Sequence, residues 1–121
     1  MLKIKFPETE IEYIEAIETE EFCGGATRRT MTFTCPSSVM NMDDLNSMLT
    51  EENTASLILI NTTTGVSNTY NGYVLKLSCG IKRVLTAPES ATSPAIYQDR
   101  LVFKLGKRTY AEQRMHDLGI S

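Results

Sequence analysis

Residues Thr30 to Ile60 constrain the fold more than any other stretch of the chain. Thr30-Met-Thr-Phe-Thr-Cys35 alternates polar and apolar side chains with the two-residue period of a half-buried strand, and Pro36-Ser-Ser stops it. Extended back to Arg28, that strand sets Met31, Phe33 and Cys35 on a core face and the threonines on the opposite one. The period then changes. Met42, Leu45 and Leu49 recur at helical spacing, Met48 widens the apolar face, and Asn41 is placed to cap, with Asp43 and Asp44 in the positive first turn. Thr54-Ala-Ser-Leu-Ile-Leu-Ile60 follows as a compact apolar run, expected to be a central strand buried on both faces. The unit is strand, short helix, strand, and it carries no catalytic signature.

The flanks extend the same β pattern. Leu2-Lys-Ile-Lys-Phe6 alternates as a first strand, and Pro7 ends it or places it at an edge. Residues Glu10 to Glu18 fit a strand with a bulge near Ile14, although Ile11, Ile14 and Ile17 also fit one helical face. Cys23-Gly-Gly-Ala26 reverses the chain, because adjacent glycines allow positive φ. A polar turn, Asn61 to Asn68, joins the central run to a strand over Thr69 to Ser78, with Tyr73, Leu75 and Leu77 sharing a face and Gly72 marking a bulge or close backbone approach. Ile81 to Thr86 forms a further short strand, and residues 87–94 form an exposed loop with two prolines. Ile96 to Leu105 then closes the sheet with Leu101, Phe103 and Leu105 on one face. Thr109 and Glu112 make a capping-box pattern opening a helix over 109–118. The expected fold is a single domain, 1–121, mainly β: a β-sandwich or barrel-like antiparallel sheet with one short internal helix and a short C-terminal helix.

At 121 residues the chain can bury one core without staples. Cys23, Cys35 and Cys79 are odd in number and lack CxxC spacing, so free thiols in a reducing compartment are expected, with neither a disulfide framework nor a zinc site. The apolar run at the N-terminus is short for a signal peptide and none later reaches membrane-spanning length, which points to cytoplasmic synthesis and no membrane partner. The net charge of −3 hides an uneven distribution: residues 1–21 carry a net −5 and residues 22–121 a net +2. The acidic stretch disfavours nucleic-acid backbone, and no sequence-specific readout is expected. It forms a solvated face or meets a basic patch on a partner.

Asp43-Asp44 and Glu51-Glu52 lack the alternating oxygen ligands of a hard-cation loop, so no metal is expected. There is no GxSxG, GxxxxGK[ST], HExxH or GxGxxG, and no cofactor is expected. Gly24-Gly25 ahead of Arg28-Arg29 is a weak anion-nest pattern. His116 is the sole histidine, so a catalytic pair with Cys23 or Cys79 would have to come from the fold. The expectation is a protein that is not an enzyme.

Arg28-Arg-Thr-Met-Thr-Phe-Thr34, then Met42-Asp-Asp-Leu-Asn-Ser-Met-Leu49 and a strand, and finally Val102-Phe-Lys-Leu-Gly-Lys-Arg-Thr-Tyr-Ala-Glu-Gln113 form a pattern over residues 26–118. The pattern resembles small tail or head-to-tail structural proteins of tailed phages and of prophages in Gram-positive bacteria. The resemblance implies a non-enzymatic virion part, made in the bacterial cytoplasm, that self-assembles, into a ring, and meets other virion proteins. Glu10, Glu12, Glu15 and Glu18, with Tyr110, Arg114, Met115 and Leu118 on the terminal helix, are the candidate interface, and the 87–94 loop is a further contact. The rival reading is a monomeric ligand-binding or adaptor β-domain using the loops at 24–26 and 87–94.

Overall fold

A computed structural model describes residues 1–119, apart from the side chain of Cys23. The chain is mainly β, in two four-stranded antiparallel sheets arranged as a sandwich-like pair. The first sheet has the order β2 (Glu10–Glu12), β1 (Leu2–Lys5), β5 (Ser56–Asn61), β6 (Ser67–Asn71). In the second, the order is β3 (Glu15–Cys23), β4 (Ala26–Pro36), β8 (Ile96–Gly106), β7 (Leu75–Ala87). Each sheet ends in open edges, so the barrel alternative is corrected to an unclosed sandwich.

Amphipathic alternation builds the core. Met31, Phe33 and Cys35 of β4 and Leu101, Phe103 and Leu105 of β8 are all buried, as their period indicates. Phe33 and Phe103 are direct partners in the β4–β8 register, and their rings stack with centroids 4.9 Å apart. Ile4, Ile11, Leu57 and Leu59 of the first sheet belong to the same buried cluster. The central strand β5 is less enclosed than expected: Leu57 and Leu59 are buried, whereas Ile58 and Ile60 are half-buried. One face of β5 meets the core and the other is only partly covered.

Helix α1 (Met42–Met48) opens as anticipated, with the Asp44 amide donating to Asn41 Oδ1 at 2.8 Å. It contributes Leu45 to the core, joined by Leu49 just beyond it. A second helical turn, α2 (Glu51–Thr54), was not expected; Thr50 caps it and the buried Thr54 hydroxyl donates to the Thr50 carbonyl at 2.9 Å. Helix α3 (Tyr110–Asp117) has the full capping box of Thr109 and Glu112. No α3 residue is buried. No helix among the described residues is long and apolar enough to cross a membrane.

Two sheet crossings replace features expected within strands. Glu10–Glu18 is strand rather than helix, as Glu10–Glu12 and the start of Glu15–Cys23, but no bulge sits at Ile14. There the chain leaves the first sheet for the second, with the Tyr13 amide bonded to the Leu2 carbonyl and the Ile14 amide to the Thr34 carbonyl. Likewise, Thr69 to Ser78 is not one strand. Gly72, at φ 84°, turns the chain out of β6 toward β7, which continues unbroken through Ala87. Tyr73 is consequently buried between strands, while Leu77 lies at a β7 register shift and is exposed. Gly24 and Gly25, both at positive φ, form the two-residue loop between the paired Cys23 and Ala26.

Candidate assembly surfaces

The register of the second sheet creates two projecting hairpins. β4 pairs with β8 only from Thr30↔Gly106 to Pro36↔Arg100, whereas β7 pairs with β8 as far as Ala87↔Ile96. The distal β7–β8 hairpin therefore extends past β4 as a two-stranded arm. The core-facing alternation of β8 continues along it from Leu101 to Asp99 and Tyr97, opposite Ile81, Arg83 and Leu85. On that arm Leu85 and Tyr97 are 49% and 56% exposed, and Ile81, on the same face of β7 just before the arm begins, is 62% exposed. The core face thus continues into solvent as exposed apolar side chains interrupted by the Arg83–Asp99 pair. The β3–β4 hairpin projects from the other end of the sheet and carries Phe22, 90% exposed. The two loops at 24–26 and 87–94 accordingly lie at opposite ends and do not converge on a common site.

The residues singled out from sequence fall in three places. Glu10 and Glu12 are on β2, with Glu10 3.8 Å from Lys3. Glu15 and Glu18 are on β3, an edge of the other sheet. Tyr110, Arg114, Met115 and Leu118 are exposed on α3 or at its end. The structure does not join them into one patch. Missed from sequence as a surface were Ile81, Leu85 and Tyr97, where Arg83 and Asp99 at the intervening same-face positions are the signal that the core face is no longer covered.

Charged groups are mostly engaged within the chain. Arg29 donates to Glu18 at 2.9 Å and Glu20 at 3.0 Å, the Tyr73 hydroxyl donates to Glu18, and Lys104 pairs with Glu21. Burial, then the Glu18 hydrogen bond, pushes the Tyr73 phenol above its ordinary range. Arg28 is buried, donates to the Lys107 carbonyl at 2.9 Å and lies 2.8 Å from Glu112. The Arg28 hydrogen bond, followed by that from the Thr109 backbone, lowers the Glu112 carboxyl to about 2. Arg108 pairs with Glu51 at 2.8 Å, and this hydrogen bond holds the Glu51 carboxyl below its ordinary value. With both arginines that follow Gly24-Gly25 holding carboxylates, the loop is a hairpin turn in its local chemistry.

Cys79 and His116 each have another partner. Cys79 lies 3.5 Å from Met42 Sδ, and His116 Nε2 lies 3.6 Å from Glu51. Burial pushes the Cys35 thiol up to about 12 and raises that of Cys79. Cys23, named in the same connection, lies outside the described side chains. Among the described residues, no group of three or more His, Cys, Asp or Glu is arranged to hold a metal ion. An open cleft of about 600 Å³ lies where β1, β5 and β6 meet the start of β3, lined by Leu2, Tyr13, Leu59, Asn61, Asn68 and Tyr70 among others. Comparison with family models, curated proteins and solved structures finds no match to the chain.

Proposed function

We propose that this chain is a non-enzymatic structural protein that works by self-assembly, as a tail or connector component of a phage or prophage virion. One observation carries the assembly reading: on the face that is core elsewhere in the same sheet, Leu85 and Tyr97 are exposed on the β7–β8 arm beyond β4, and Ile81 is exposed on β7 just before the arm begins. Apolar surface continued outside a subunit gains its stabilisation when another surface covers it. The virion context comes from the resemblance over residues 26–118, and the ring remains part of the same proposal.

Size-exclusion chromatography with light scattering tests it on the full chain. The wild type is expected to associate, and Leu85→Ser with Tyr97→Ser to reduce association while leaving thermal unfolding nearly unchanged, since both sites are exposed. A stable monomer at high concentration, with no partner encoded beside it, overturns the reading. It would favour the second one, a monomeric ligand-binding or adaptor domain, whose site would be the cleft beside Tyr13 and Tyr70.

A further inference from the structure

The second sheet has four strands in strictly antiparallel order, β3-β4-β8-β7. Its edges, β3 and β7, therefore run in opposite directions. A second copy placed beside the first without being turned over sets its β3 antiparallel to the first copy's β7. Alternation then continues from subunit to subunit. Back-to-back pairing of β7 with β7, or β3 with β3, is also antiparallel, so strand direction does not choose between the two modes.

Charge does choose. β3 carries Glu15, Glu18, Glu20 and Glu21 and no basic residue; β7 carries Lys76, Lys82 and Arg83 and no acidic one. Back-to-back pairing sets like charges together, whereas β3 against β7 sets opposite charges together. Most of these groups already have partners in the subunit: Glu18 and Glu20 hold Arg29, Glu21 holds Lys104, Lys76 holds Asn46, and Arg83 lies 3.5 Å from Asp99. Glu15 and Lys82 have no ion-pair partner among the described residues.

Register places these two groups compatibly. Glu15 pairs with Thr34, Thr34 with Val102 and Val102 with Gly80, so Glu15 shares a sheet face with Gly80. Lys82 is two residues further along β7 on that face. A short stagger along the strands brings Glu15 of one copy beside Lys82 of the next. The geometry points to head-to-tail continuation of this sheet between copies of the chain, the β3 edge of one on the β7 edge of its neighbour, with Glu15 and Lys82 as the selecting pair. This inference rests on the self-assembly reading and specifies its contact. Such a heterologous contact makes a ring where the rotation closes and a filament where it does not.

The test is a charge swap in the full chain, by light scattering at low ionic strength, with thermal unfolding as the folding control. Glu15→Lys and Lys82→Glu are each expected to raise the concentration needed for association roughly tenfold or more, and the double variant E15K/K82E to restore it. The wild type is expected to pass beyond a dimer. Association that ignores the single changes, or a double variant as weak as the singles, overturns the edge pairing and leaves assembly through the arm standing. A closed dimer overturns the head-to-tail mode. A wild type that stays monomeric overturns both this pairing and the assembly reading.

Discussion

Arg28 on β4 and Glu112 on α3, separated by 84 residues in sequence, hold their charged groups 2.8 Å apart. Arg28 also donates to the Lys107 carbonyl at 2.9 Å, so one guanidinium ties the sheet both to the segment entering α3 and to its first turn. α3 buries no residue of its own. Its docking therefore depends on this tie and on the Arg108–Glu51 pair more than on an apolar face.

Acid should loosen that tie. The folded Glu112 carboxyl is lowered to about 2, below its unfolded value near 4.5. Its contribution is complete above the unfolded value and is lost as pH falls through the window between the two. The side chain is 42% exposed, so solvent screening keeps the contribution to about 1 kcal/mol or less. Urea unfolding followed from pH 5 to pH 2 is expected to show a shallower acid-side loss in Glu112→Gln than in the wild type. Equal slopes would show that Glu112 does not carry this dependence.

The Phe33–Phe103 stack joins β4 and β8 on their core face. Both rings are fully buried and directly paired across β4 and β8. Phe33→Ala is expected to destabilise by about 3–5 kcal/mol, through lost burial and the cavity left behind. Denaturant unfolding measures it. Because Tyr13 meets Phe33 edge-to-face at 6.1 Å, the change should also raise the fluorescence sensitivity of Tyr13 to a quencher.

Much of the second sheet was legible because one face of β4 and β8 is apolar and dry and the other is mostly polar and only partly covered, and a period of two records that difference directly. Asn41 and Thr109 were legible for a similarly local reason, since a cap is satisfied by amides three residues away. The crossings at Tyr13–Ile14 and Gly72–Val74 were not. A two-residue period is the same in either sheet, and only the positive φ required at Gly72 left a trace. Arg28 on a polar face reads as solvated, and it is buried because residues 107–112 return to cover it. The candidate surface was half legible: the acidic β3 is visible in the sequence, but the basic β7 becomes its counterpart only once both are known to be edges of one sheet.

Tyr73 should report on the β3 edge. Its buried ring meets Tyr70 edge-to-face, lies under Lys107, and its hydroxyl donates to Glu18. Tyr73→Phe leaves Glu18 with Arg29 but without this donor, and a destabilisation of about 1.5–3 kcal/mol is expected for a hydrogen bond to a charged group. The phenol is raised in the folded state, so its contribution is present below the unfolded value of 10.0 and is lost as pH rises beyond it. Alkaline unfolding monitored by tyrosinate absorbance should be less steep in Tyr73→Phe. An unchanged profile would place the alkaline dependence on other groups.

Cys35 offers a test of whether this chain presents a nucleophile from its core. Its side chain is fully buried, and desolvation ahead of the neighbouring Cys79 and Glu12 pushes its thiol up to about 12. At neutral pH the reactive thiolate is therefore scarce, and burial blocks reagent access as well. Peptide-resolved mass spectrometry after iodoacetamide treatment should find Cys35 unmodified in the native chain and modified in urea, with Cys79, half-buried beside Met42, intermediate. Rapid native labelling of Cys35 would mean that β4 and β8 separate at a rate the Phe33–Phe103 stack should prevent. The same measurement on Phe33→Ala distinguishes the causes: if the stack guards the thiol, labelling rises in that variant under conditions where most of the chain remains folded.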